Sequence, residues 1–471
     1  MVFEGEGRLP VVAFNEKALC GLGRSLAATG RLDETGMECA IATLDRFTIL
    51  LREMGISNIR AVATAAVRDA ENGADFIRTV EKRCGFPIRI LSGVEEARAS
   101  ACGVLVGLPG ADGLMGDLGG GSLEIVDLQG GSIGDGVTLP LSPFLLAERY
   151  ARDRKATIKH IDRVLADVPW LRCGRDREFY AVGGAWRAIA RIHMEQTGYP
   201  LHILQSYVVE RRELLDICKV IANMSRASLA RIPGVPTRRA ENLPLAATIL
   251  QRIFTNVKPA RLVVSSMGLR EGLLYQEMPP EVRRLDPLLE SCHEIAELSG
   301  RFPEHAQNLQ EWIDPLFPDE APGDRRLRLA ACMLSDVAWR GHPDYRAEKV
   351  LTEVLHGRFG GLDHRGAALI ALALYICYGG EAGKGMAGTL ERLLHEDDLL
   401  QARKIGLALR LGQRFSGGTS SALMLGRLEM TEDKVILKVK ADAANMAGET
   451  VIRRLEALAR VVGRRAAVET A

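Results

Sequence analysis

The chain has almost no net charge, no paired cysteines and no apolar run long enough for a bilayer. Its 61 Lys and Arg are set against 60 Asp and Glu, a formal net charge of +1. No global field therefore favours nucleic acid or a membrane surface, and a polyanionic ligand would have to be met by a local basic patch. The nine cysteines stand singly between Cys20 and Cys377, odd in number and without a Cys-x-x-Cys pair. That usage suits reduced thiols in a cytosol and argues against a disulfide framework or structural zinc, so a cytoplasmic location is expected. The most apolar run, Ala367 to Cys377, is too short to span a membrane and reads as a buried helix. No stretch resembles a signal peptide, and there is no fixed-period repeat or low-complexity tract.

What is present points to a large folded protein. A chain of 471 residues, 47% apolar and 26% charged, exceeds one ordinary core and implies about two to four domains. Its most informative stretch runs from Leu114 to Leu128. It reads as a buried strand ending in Asp117, a turn of Gly119, Gly120 and Gly121, and a second strand holding Ser122 and Glu124. Consecutive glycines let a backbone approach a ligand and aim successive N–H groups into one concavity, as phosphate cradles require. Asp117 and Glu124 are hard oxygen donors suited to Mg²⁺ bridging phosphate oxygens. On a strand Ser122 and Glu124 project to one face. A tight hairpin with solvated carboxylates fits the turn alone equally well.

The remaining pattern alternates strands and helices up to residue 278. Met1 to Phe3 resembles the tail of a strand, and Pro10 to Phe14 a second short one. Helical spacing covers 36–54 and Ala74 to Arg83, with strands at Ile59 to Ala63 and Pro87 to Leu91. Ser92 with Glu95 is a capping-box pattern opening a helix to about Leu108. Glu96 sits in its first turn, where the helix dipole favours a carboxylate. A third strand, Ser132 to Thr138, completes a meander, and helices follow at 143–152 and 158–168. A strand at Glu178 to Val182 meets Gly183 and Gly184, a second strand–glycine–helix junction. Helices are expected over 207–222 and 238–256, then a strand at Arg261 to Ser265 and a last helix. Residues 279–292 read as a linker, 288–412 as helical, and 422–440 as two strands. A basic amphipathic helix, Thr450 to Arg465, is expected to end the chain.

In this order the motifs Ala63 to Arg68, Ser92 to Arg98, Asp117 to Glu124 and Leu269 to Gly272 resemble the exopolyphosphatase and guanosine pentaphosphate phosphohydrolase family. That family is a branch of the actin, hexokinase and chaperone-ATPase fold, and the resemblance covers nearly the whole length. It implies an α/β, two-lobe actin-like (ribonuclease H-like) ATPase fold with a C-terminal helical HD-like domain and a small α+β cap. The implied divisions are 1–113 (lobe I), 114–284 (lobe II with the closing helix of lobe I), 285–420 (helical) and 421–471 (cap). Carried over by position, Glu96 resembles the base that activates water, and Asp117 and Glu124 the magnesium carboxylates. Gly119, Gly120, Gly121 and Ser122 resemble a phosphate loop. Thr64, Arg68, Gly183 and Gly184 resemble residues lining the phosphates. The implied reaction is release of terminal phosphate from inorganic polyphosphate, with guanosine pentaphosphate as a second substrate. A homodimer with Mg²⁺, and no nucleic-acid or membrane partner, goes with it.

The sequence departs from the family pattern in two places. No Asp-x-Gly-Ser-Asn-Ser loop is present, and Met1-Val2-Phe3 aligns with what usually follows it. Either the translation start is set too far downstream, the expectation preferred here, or lobe I lacks its first strand and phosphate loop. In the helical domain, Leu334-Ser335-Asp336 and Tyr378-Gly379-Gly380 stand where HD-type ligands would be sought. His342, His356 and His364 have no compelling ligand spacing, so no metal is assigned there. Its expected role is the far wall of a polyanion channel, with Arg238-Arg239, Arg325-Arg326-Arg328 and the Arg453, Arg454, Arg460, Arg464 and Arg465 set as basic candidates. A non-catalytic polyphosphate- or alarmone-binding regulator is the alternative from another class. A sugar kinase or ATPase of the same fold is disfavoured, because Glu96 precedes the glycine turn and a helical extension follows residue 288.

Overall fold

The structure is a computed structural model that describes every residue except Glu6, 151–152, 235–239, Pro303 and Ala471, and the side chain of Ala27. The expected Arg238-Arg239 pair lies outside the described residues. The chain divides into two compact units, Met1–Glu6 with Pro10–Arg283, and Gly7–Leu9 with Arg284–Ala471.

In the first unit, strands β1 (Val2–Glu4) and β2 (Val11–Phe14) form an antiparallel pair, and β3 (Ala61–Ala63) and β4 (Ile88–Ile90) a parallel pair. Among the described residues the two pairs do not join into one sheet. A cavity of about 590 Å³ is lined by both, with Val2, Phe3 and Val62 facing Phe47, Leu51 and Leu273. Helix α1 (Glu34–Glu53), the short α2 (Ala65–Arg68) and α3 (Gly73–Cys84) close a small core of Leu32, Ala40, Val67, Phe76 and Val80.

The larger sheet holds β5 (Gly113–Leu118), β6 (Leu123–Gln129), β7 (Ser132–Leu139), β8 (Glu178–Val182), β9 (Val208–Glu210) and β10 (Arg261–Val264). Its order is β7-β6-β5-β8-β10-β9. The meander β5-β6-β7 is antiparallel, as its two tight turns require, whereas β5, β8 and β10 run parallel. Both faces are buried, so the parallel strands read as continuous apolar runs rather than alternating ones. Leu114, Phe179 and Leu262 enter one core, and Met115, Tyr180 and Val263 the other. Covering helices include α4 (Gly93–Gly107), α5 (Pro143–Tyr150), α6 (Gly184–Thr197) and α7 (Leu269–Glu277). The carboxyl ends of the three parallel strands thus open at one edge, where open α/β sheets bind ligands.

Residues 208–210 correct the helix expected from 207. They form an edge strand antiparallel to β10, and the helix starts only at Arg211. Val208 and Val209 are β-branched and suit the pleat, but the run is too short to declare its period.

The second unit is mainly helical. Helix α8 (Pro287–Ser299) starts on Asp286, which accepts from the Leu288 N–H at 2.9 Å. Helix α9 (Pro322–Leu334) follows, and the apolar α10 (His364–Cys377) is buried against α11 (Glu396–Ser416), as its composition predicts. The Arg325-Arg326-Arg328 cluster is a correction to the expected channel wall. Arg325 pairs with Asp314 at 3.0 Å, Arg326 with Asp286, and the buried Arg328 with Asp314 at 2.6 Å and Glu320 at 2.8 Å. All three guanidinium groups are paired with carboxylates of the same unit, and for Arg328, which is buried, that pairing is obligatory. Asp336 is likewise held by Arg301 at 2.5 Å. After α12 (Glu449–Val461) the chain does not end in helix. Strand β13 (Arg465–Thr470) adds parallel to β12 (Lys434–Val439), which already pairs with β11 (Gly426–Met430).

Candidate active site

Helix α4 begins where the sequence says it should. The Ser92 hydroxyl accepts from the Glu95 N–H at 3.2 Å, and Glu95 accepts from the Ser92 N–H at 2.8 Å. These bonds, with Arg89 nearby, hold the Glu95 carboxyl down at about 2. Glu95 is therefore occupied by the cap. Its neighbour Glu96 turns inward, and its side chain is only 15% exposed. Burial pushes its carboxyl above the usual range. The Arg68 guanidinium at 3.3 Å and the Ala65 N–H oppose that shift, while the charge of Asp117 adds to it. Arg68 is fixed by a second bond of 2.9 Å to the Leu91 carbonyl, so the ion pair is held by backbone as well as by charge. Thr64 caps the same short helix without a side-chain bond to it, which leaves its hydroxyl for other work.

Asp117 stands one residue before the end of β5, and Glu124 lies opposite it on β6. Ser122 and Glu124 do share a face: the Ser122 hydroxyl donates to the buried Glu124 carboxylate. Burial pushes Glu124 up to about 8, and the charges of Glu96 and Asp117 push the same way. Burial also raises Asp117, opposed by the Ser100 hydroxyl at 2.6 Å and the charge of Arg187. The charge of Asp117 thus bears on both Glu96 and Glu124, and the bonds that oppose the shifts of Asp117 and Glu124 come from the Ser100 and Ser122 hydroxyls and, for Glu124, from its own backbone. A group raised in the folded state stabilises the fold fully below its unfolded pKa and loses that contribution as pH rises through the folded one. The ion-free protein is therefore expected to lose thermal stability between about pH 5 and about pH 8. Glu124→Gln should lose less. Melting curves across this range check it, and equal slopes for the two proteins would acquit Glu124.

The glycine turn carries a different message. Gly119, Gly120 and Gly121 are exposed, and none adopts a positive φ. A Cβ on Gly119 or Gly120 would meet only ordinary contacts, at 3.5 and 3.7 Å, and one on Gly121 would sit 3.3 Å from Ala65 Cβ. Neither backbone conformation nor internal packing demands three glycines here. The Gly119 N–H closes the turn on the Ser122 carbonyl at 3.1 Å, and the exposed backbone of Gly120 and Gly121 is what the turn offers to something outside the chain. Gly183 is the opposite case. Its φ is +103°, and a Cβ would lie 2.7 Å from the Leu118 carbonyl and 3.3 Å from Asp117 Oδ1. It seats the start of α6, led by Gly184, against the end of β5.

Two residues here were missed in the sequence. Ser100 lies one turn after Glu96, an i,i+4 spacing that could have found it. Arg187 donates to the Gly183 carbonyl at 3.1 Å and to that of Ser266 at 3.2 Å, tying the turns after β8 and β10 together. Its partners are backbone atoms, and one is 79 residues away, so no sequence signal marks it.

Among the described residues no three His, Cys, Asp or Glu side chains converge closely enough to hold a metal by themselves. A divalent cation nevertheless fits the donors. Asp117 and Glu124 are cross-strand carboxylates whose charges act on one another, and they would hold such an ion and let it offset charge on a bound phosphate.

The buried, mixed sheet that carries two neighbouring carboxylates and an exposed glycine turn, with an inward glutamate and its arginine beside them, belongs to an actin-like ATPase fold. Residues 1–281 match the sequence model of the Ppx/GppA phosphatase family, and residues 288–468 that of the exopolyphosphatase C-terminal domain. The chain belongs to the Ppx/GppA phosphatase family. Retrograde regulation protein 2 of Saccharomyces cerevisiae is 27% identical over 406 residues, covering 77% of this chain and 67% of that protein. Among solved structures, an exopolyphosphatase from Cytophaga hutchinsonii is similar in fold at 24% identity and a TM-score of 0.53, covering 57% of this chain and 90% of that one. An exopolyphosphatase-like protein matches at 20% and 0.50, covering 56% and 91%. Among the described residues no helix is long and apolar enough to cross a membrane.

Proposed function

We propose that this protein hydrolyses phosphoanhydride bonds, releasing the terminal phosphate of inorganic polyphosphate and, as a second substrate, of guanosine pentaphosphate. The observation that carries this reading is the exposed triple-glycine turn, whose Gly119 and Gly120 no internal contact requires, set beside Glu96, Asp117 and Glu124. In this reading the N–H groups of Gly120 and Gly121 receive the terminal phosphate, and the Ser122 hydroxyl turns to it from Glu124 once Glu124 is engaged by the cation. Glu96, ionised and steadied by Arg68, takes a proton from water as its oxygen attacks phosphorus. The bridging P–O bond breaks, and the shortened chain leaves with the bridging oxygen. Asp117 and Glu124 would hold Mg²⁺, which when bound neutralises charge on the phosphates. The similar solved structures, an exopolyphosphatase and an exopolyphosphatase-like protein, support the substrate class.

A second reading, a binding regulator without turnover, draws on the name of the yeast relative. Orthophosphate release from long-chain polyphosphate, and separately from guanosine pentaphosphate, with Mg²⁺ present, decides between the two. Tight polyphosphate binding with no phosphate released from either substrate would reject the hydrolase.

A further inference from the structure

Of the nine cysteines, six are buried, and Cys20, Cys39 and Cys173 are partly or fully exposed. Two of these three meet. Cys39 and Thr43 occupy successive turns of one face of α1, with the Thr43 hydroxyl bonded to the Cys39 carbonyl at 2.8 Å. Cys20, in the loop after β2, places its Sγ 3.9 Å from Thr43 Oγ1 on that face. The loop lies close enough that a Cβ on Gly36, one turn before Cys39, would be 3.1 Å from the Cys20 carbonyl oxygen. Gly36, Cys39 and Thr43 are each about one turn apart, so Cys20 touches the turns on both sides of Cys39. Cys39 is exposed, Cys20 half-covered.

We propose that Cys20 and Cys39 form a disulfide cross-link site in the folded protein, closed by a low-molecular-weight disulfide and reopened by the matching thiol. The chemistry balances in two exchanges. The exposed Cys39 thiolate attacks the external disulfide, forming a mixed disulfide and releasing one small thiol. The Cys20 thiolate then attacks the Cys39 sulfur, the protein S–S bond forms, and the second small thiol leaves. Two protein thiols are oxidised, one small disulfide is reduced to two thiols, and the cysteine protons end on them. Burial pushes the Cys20 thiol up, which suits it to the second, resolving step rather than the first.

The link would fasten a loop that backs the candidate site. Leu22 packs into the same core as Val67, and a Cβ on Gly23 would lie 3.4 Å from Ala66 Cβ. Ala66 belongs to α2, whose Arg68 holds Glu96. At the other end of the loop, Asn15 accepts from Arg270 at 3.2 Å. The cross-link site itself does not depend on the proposed hydrolase activity.

The test is to incubate the folded, full-length protein with excess oxidised glutathione, block free thiols by alkylation and map peptides without reduction. Two of the nine thiols should be lost, in one peptide pair joining Cys20 to Cys39, and reduced glutathione should restore both. Cys20→Ser should stop at a stable mixed disulfide on Cys39, and Cys39→Ser should leave Cys20 free. Circular dichroism before and after checks that the fold persists. A wild-type protein that halts at glutathionylated Cys39, or links Cys39 to a second molecule, would overturn the proposal.

Discussion

Glu96→Gln is expected to lower phosphate release by about a thousandfold, the scale of losing a positioned general base, without unfolding the protein. The two side chains are nearly the same size, so the packing around residue 96 is retained. The electrostatic consequence for stability is small and has a definite sign. Burial raises the Glu96 carboxyl despite Arg68, so its ionised form costs the fold something, and that cost grows as pH rises through the raised value. The neutral amide removes it at the expense of an ion pair at 3.3 Å. At neutral pH the melting temperature should therefore match or slightly exceed that of wild type. Polyphosphate binding should survive, since the glycine turn and Ser122 are untouched. Turnover and melting measured on the same preparation make the check. A variant keeping more than about a tenth of wild-type activity, against the loss expected of a base, would remove Glu96 from that role.

The second large effect is structural and falls on Gly272. Helices α4 and α7 cross backbone to backbone. A Cβ on Gly272 would lie 1.7 Å from the Ala99 carbonyl oxygen and 2.7 Å from the Gly103 nitrogen, and one on Gly103 would lie 2.1 Å from the Gly268 oxygen. Neither glycine has a positive φ, so contact alone demands them. The obstacle is backbone, which cannot rotate aside as a side chain can. Gly272→Ala must separate the helices, at a cost of about 3 kcal/mol or more. Because α4 carries Glu96 and Ser100, the same shift moves the candidate base relative to Asp117. Urea unfolding followed by circular dichroism should show the first-unit transition moved down by about 1 M or more. Gly110→Ala is the control, since its Cβ meets nothing within 4 Å. A Gly272→Ala midpoint equal to that of the control would mean the crossing relaxes freely.

The site's composition was more legible than its support. Glu95 and Glu96 were separable in the sequence because a capping box occupies one acid and leaves its neighbour over. The Asp117-to-Glu124 hairpin was legible because glycine runs and period-two patterning are local. The motif Leu269 to Gly272 was visible only as a resemblance, and its reason, a crossing with a helix more than 160 positions earlier, is not a local property. The basic cluster at Arg325 to Arg328 misled for the same cause. A run of arginines looks like a ligand surface until Asp286, Asp314 and Glu320 are found beside it.

The sequence by itself determined the class of chain and the alternation of strands and helices, and it supplied the residues proposed to handle phosphate and its counter-ion. Those rest on side-chain chemistry and on periodicities read within a few residues. Tertiary structure alone decided that Val208 to Glu210 and Arg465 to Thr470 are strands, because each is made by the open edge of a neighbouring strand. It alone brought Arg187 to the turns after β8 and β10, and Cys20 to Cys39. Such contacts depend on where distant segments are carried, and a chain's local preferences hold no record of that.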